Sequence, residues 1–72
     1  MTNSKLLREC IEKSGYKLNY IAKTLGLSAF GFANKINNVT EFKASEIEKL
    51  CTLLKITSLN DRQKIFFAQK VD

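Results

Sequence analysis

A small all-α domain of four or five helices is the fold this sequence predicts, on three observations. The chain has 72 residues, no proline and three glycines, so helical runs go uninterrupted and there is room for one domain, 1–72. Apolar residues recur at helical spacing in segment after segment. Gly15 and Gly26 fall where two of those segments end.

The first segment, about Asn3 to Lys13, sets Leu6, Leu7, Cys10 and Ile11 on one stripe. Thr2, Asn3 or Ser4 caps it and Gly15 stops it. The second, about Leu18 to Leu25, is short, with Ile21, Ala22 and Leu25 inward and Gly26 as the left-handed residue at its end. Ser28 caps a third helix, about Ala29 to Asn37, whose inward side is Phe32 and Ile36, with Leu27 as entry residue. The intervening TLGLS is a tight glycine-containing turn that forces a steep crossing. That is the pattern of a helix-turn-helix over about residues 17–37. Ala22 is small where the third helix passes close over it.

The fourth helix, about Ala44 to Lys55, places Ile47, Leu50, Cys51 and Leu54 at i, i+3, i+4 and i+7. The last begins at Ser58, with Asp61 as a reciprocal capping partner, and ends before Gln69. Its end, IFFAQKV, fits two structures: a helix closing the core with Ile65, Phe66, Phe67 and Val71, or an extended edge strand.

Composition excludes several function classes. The chain has no histidine, which removes the commonest general base and metal ligand. It has neither a glycine-rich phosphate loop nor a serine elbow. An enzyme is not expected, nor is a metal, a cofactor or a small-molecule substrate. Cys10 and Cys51 read as two inward-facing thiols, with a disulfide as the alternative. No signal peptide is recognisable and no apolar run approaches the ~20 residues of a membrane span. The expected location is therefore a reducing cytoplasm, away from membranes.

Charge is more informative. The net charge is +5, and from Lys13 to Thr40 there is no acidic residue, whereas Lys13, Lys17, Lys23 and Lys35 fall there. A basic middle between mixed-charge ends suits a polyanion, an acidic protein surface or simply solvent.

IAKTLGLS, then KIN, then EIEKLCTLL resembles the Cro/C1-type (Xre-family) helix-turn-helix regulators. NNVTEFKASEIEKLCTLLKI with the terminal IFFAQKV is most similar to the small phage regulators of that family, and the likeness covers residues 5 to 72. The resemblance implies a lambda-repressor-like DNA-binding fold and a part in a bacteriophage genetic switch. It implies that helix two crosses the DNA backbone while helix three enters the major groove. The family's phosphate-touching amide falls here on Leu18, which has none, and its base-reading positions fall on Ala29, Phe30, Gly31 and Asn34.

Base readout requires donors and acceptors, and Ala29, Phe30 and Gly31 supply none in their side chains. What remains for double-stranded operator DNA is Ser28, Asn34, Lys35, Asn37 and Asn38, with Lys17, Lys23 and Lys43 for phosphates. Phe30 lies ~200° around the helix from Phe32. Three fates are open to it: packing on Tyr20, insertion into DNA, or anchoring a protein partner on the flat surround of Ala29, Gly31 and Ala33. Two functions follow. One is an antirepressor, whose partner the resemblance implies to be the helix-turn-helix domain of the phage repressor, docked through Leu18, Ala29, Phe30, Gly31, Ala33 and Asn34. The other is a Cro-like repressor that binds operator DNA directly.

Overall fold

The structure is a computed structural model that describes residues 1–68. Among these residues the elements are α1 (Ser4–Ser14), α2 (Leu18–Thr24), α3 (Ala29–Ile36), α4 (Ala44–Leu54) and α5 (Leu59–Phe66), with no strand. The fold is all-α, as the spacing of apolar residues predicts.

Each helix starts and stops for local reasons. Asn3 caps α1 by accepting the Leu6 N–H at 3.1 Å, and Gly15 ends it with a positive φ. Gly26, at φ 76°, turns the chain out of α2, and the Leu27 N–H bonds back to the Ala22 carbonyl at 2.9 Å. Ser58 accepts the Asp61 N–H at 3.4 Å. The expected return bond from Asp61 is not made, so this cap is one-sided. α5 ends at Phe66, which settles the helix-or-strand alternative for Ile65 and Phe66. Phe67 is outside the helix and half exposed. Val71 lies outside the described residues.

Leu7, Ile21, Phe32, Ile36, Leu50 and Cys51 are the largest fully buried side chains, drawn from α1, α2, α3 and α4. Ile65 and Phe66 close the core from α5. Phe42, in the α3–α4 loop, is packed edge-on between Phe32 and Phe66, with ring centroids 6.2 and 5.6 Å apart. Leu54 and Cys10 are only partly buried, because they border an open groove between α1, α4 and α5. Cys10 and Cys51 are both free thiols, so the disulfide alternative falls. Burial pushes the pKa of both upward, which leaves them poorly nucleophilic.

The two ends of the described chain are tied together. The Asn3 N–H donates to the Ile65 carbonyl at 2.6 Å, and the Ala68 N–H to the Met1 carbonyl at 3.0 Å. Asn38 holds the same segment from the other side. Its Oδ1 accepts the Thr2 N–H and its Nδ2 donates to the Thr2 carbonyl, both at 2.8 Å.

Leu50→Ala should destabilise the domain by about 2–5 kcal/mol, a large fraction of what so small a core supplies. A thermal or urea melt checks it, and an unchanged midpoint would contradict the placement of α4.

Candidate functional site

The rotation of α3 is set by burial of Phe32 and Ile36, each 1 % exposed. At 100° per residue, Phe30 and Asn34 then point away from the core, and Asn37 follows on the same line at i, i+4 and i+7. Phe30 is 77 % exposed. Tyr20, its expected packing neighbour, stacks instead on Tyr16, with centroids 5.3 Å apart. The Phe30 ring therefore protrudes beside Ala29, and the Asn34 side chain makes no hydrogen bond among the described residues.

Ser28 opens this helix. Its Oγ accepts the Gly31 N–H at 3.0 Å, filling one of the donors that every helix N-terminus leaves unpaired. A Cβ on residue 31 would stand 3.2 Å from that Oγ. Glycine here thus has an internal reason, clearance for the cap, beside the close approach of a partner. Ser28, expected at a DNA contact, uses one acceptor position inside the protein and keeps its O–H donor on the exposed side.

Three other residues expected at DNA have prior engagements. Lys35 is not a free cation. Its Nζ lies 2.5 Å from Glu46 Oε1, and the two side chains are 11 % and 9 % exposed. The side chain runs back toward α4 because it sits beside, not opposite, the buried face of α3. Asn38 has positive φ and both ends of its amide bonded to Thr2; it is a clamp on the amino-terminal segment. Asn37 accepts a hydrogen bond from Arg8 Nη2 at 2.8 Å. Sequence reasoning overlooked Arg8, and no spacing rule could have found it, since 29 residues separate the pair. Ser4 Oγ donating to the Ile36 carbonyl is what brings α1 to the end of α3.

Glu46 also accepts the Lys43 N–H at 2.8 Å, which caps α4 from within. Lysine has no acceptor to complete a capping box. Burial alone would raise the Glu46 pKa, but the hydrogen bonds from Lys35 and the Lys43 N–H, and the two ammonium charges, hold it below the usual carboxylate value.

Lys17, Lys23 and Lys43 keep exposed side chains, as do Leu18 and Tyr20. Ala33 is half buried at the edge of the α3 surface. So Phe30, Gly31, Asn34, Asn37 and Arg8 form one outward surface, with Lys35 and Asn38 withdrawn from it. A family model described as a protein of unknown function, DUF739, matches residues 2–69. The chain belongs to the DUF739 family. No curated protein and no solved structure matches it. Among the described residues of this DUF739 domain, no group of acidic residues and cysteines is arranged to hold a metal. No described helix is long and apolar enough to cross a membrane.

Because the folded pKa of Glu46 lies below the unfolded one, its contribution to stability is complete above about pH 5. It is lost as pH falls through the lowered folded value. Glu46→Gln should flatten the acid limb of the stability curve, measured by melts between about pH 2 and pH 7; an unchanged limb would contradict the role assigned to the pair. The lysines should divide accordingly. Removing Lys17 or Lys23 should lower the salt slope of any non-specific DNA binding by about one unit. Lys35→Met should leave the slope alone and reduce stability.

Proposed function

We propose that the protein is an antirepressor of a bacteriophage genetic switch, which docks the outward face of α3 on the helix-turn-helix domain of the phage repressor. The observation that carries this reading is Phe30, a large apolar ring standing 77 % exposed at the position where a base-reading side chain would be expected. A single exposed apolar side chain is ordinary on a monomer, and Leu59 is as exposed. What singles out Phe30 is its place on the face where the resemblance puts base-reading side chains. Ala29 and Gly31 keep the surround low, and Asn34 supplies a polar contact at its rim. Withdrawal of Lys35 and Asn38 into internal bonds leaves the face poor in the donors that base recognition needs. The chain also resembles, within the Cro/C1-type regulators, the modulator of repression of a lactococcal temperate phage. Inhibition would follow from occupancy: the repressor surface that grips operator DNA is covered, with no chemistry required.

A second reading has its own support. Exposed Lys17 and Lys23, the Asn34 amide with no hydrogen bond among the described residues and the +5 charge would serve a Cro-like repressor that binds operator DNA directly, or a complex in which repressor supplies most of the specificity. Such binding would weaken steeply with salt and would favour operator over random DNA by about 10³ or more.

Phe30→Ala separates the two. Truncating a central aromatic anchor removes about 2–4 kcal/mol of binding, whereas the fold should be unaffected because the ring is 77 % exposed and outside the core cluster. Calorimetry against the repressor domain, with circular dichroism as the control for folding, should show binding lost and helicity kept. A folded variant with unchanged affinity would favour the Cro-like reading.

A further inference from the structure

The second helix carries an apolar surface that the docking of α3 leaves unexplained. Tyr16, Leu18 and Tyr20 are 41, 45 and 53 % exposed. Ile21 and Ala22 are buried on the inner side of α2, and two residues back from Ala22 is ~200° around the helix, so Tyr20 faces outward. Tyr16, just before the helix, lies against it with 28° between the ring planes. Aromatic rings are large apolar surfaces whose burial dominates core and interface energetics, yet both keep about half their surface in solvent, although Tyr16 also borders the groove between α1, α4 and α5. Exposed Lys17 and Lys23 flank them, and Lys13 borders the same groove as Tyr16. No acidic residue occurs from Ser14 to Thr40.

We propose that Tyr16, Leu18 and Tyr20 form a second half of the partner-binding surface, and that a ridge of apolar side chains bordered by carboxylates, on the protein that receives Phe30, seats there. The inference rests on the reading of α3 as a protein-docking face. Size supports it: a stable interface takes about 800 Å² from each partner, several times what one aromatic ring supplies at about 150–250 Å². α2 is joined to α3 by the short turn Leu25–Ser28, so it is the next surface a partner seated on α3 would meet. Charge supports it too. Lys13 shares its groove with Glu9 and Asp61, but Lys17 and Lys23 lie in the acid-free stretch of the chain and make no ion pair among the described residues. These two favour a carboxylate-bordered partner. A single-stranded nucleic acid is the other ligand that takes tyrosines among lysines. The geometry disfavours it, since the two rings already use a face on each other and Leu18 offers a base no stacking surface.

The test compares the full chain with Tyr16→Ser/Tyr20→Ser, Lys17→Glu/Lys23→Glu and Phe30→Ala, after each is shown to be folded by circular dichroism. Affinity is measured for the isolated helix-turn-helix domain of the phage repressor at low and high salt, and for an oligothymidine strand. The double tyrosine variant should bind the repressor domain about tenfold more weakly or worse. The lysine reversal should weaken binding at low salt and remove most of its salt dependence. If the tyrosine variant binds like wild type while Phe30→Ala does not, this inference falls and the α3 reading stands. If both bind like wild type, the proposed function falls with it. Tighter wild-type binding to oligothymidine than to repressor, lost in the tyrosine variant, would reassign the surface to nucleic acid.

Discussion

Burial of Phe32 and Ile36 fixes the rotation of α3 about its axis, and the candidate surface depends on that constraint. Both side chains are sealed in the core, and displacing either would cost about 1.5–3 kcal/mol in lost burial. With those two positions inward, the helical period leaves no choice for the others. Phe30 and Asn34 face out, and Lys35 stands at the flank where Glu46 can reach it. The aromatic contact of Phe32 with Phe42, and of Phe42 with Phe66, carries the same constraint across to α5.

Electrostatics then decides which polar residues remain available. The Lys35–Glu46 pair and the Asn38–Thr2 clamp use groups that, read as a string, belong to a nucleic-acid contact. Glu46 and Thr2 are buried, where an unpaired polar group would be costly, and Lys35 and the exposed Asn38 reach in to pair them. The basic stretch from Lys13 to Thr40 is therefore less basic at its surface than by count. Its exposed positive charge sits at Lys13, at Lys17 just before α2 and at Lys23 on α2, while the outward face of α3 is close to neutral. Arg8 restores a cation at the far end of that face.

The first four helices were legible in the sequence to within a residue at each end, because caps and apolar spacing are local signals. The start of the fifth was legible too, but its end stayed open between helix and strand and falls at Phe66, two residues short of the expected limit. Ser28, Gly26 and Gly15 act through neighbours three or four positions away. Phe30's exposure was legible for the same reason, from its angle to Phe32. What could not be read were the pairings over long sequence separation: Asn38 with Thr2, Arg8 with Asn37, and Phe42 as the wedge between Phe32 and Phe66. Lys35 with Glu46, only 11 apart, was equally hidden, since it needs the angle between α3 and α4. Tyr16 and Tyr20 were readable as i, i+4 neighbours, but Tyr16 lies before the N-cap Lys17 and outside the helix, and only the structure shows them stacked.

The central claim is that the outward face of α3 meets protein in place of bases. Titrating the protein into a preformed complex of repressor with fluorescently labelled operator tests it most directly, by anisotropy of the DNA. The account predicts that anisotropy falls to the value of free operator as repressor is withdrawn, and that the protein without repressor shows no operator preference. A protein that alone binds operator over random DNA by about 10³ or more, and leaves the repressor complex intact, would contradict it.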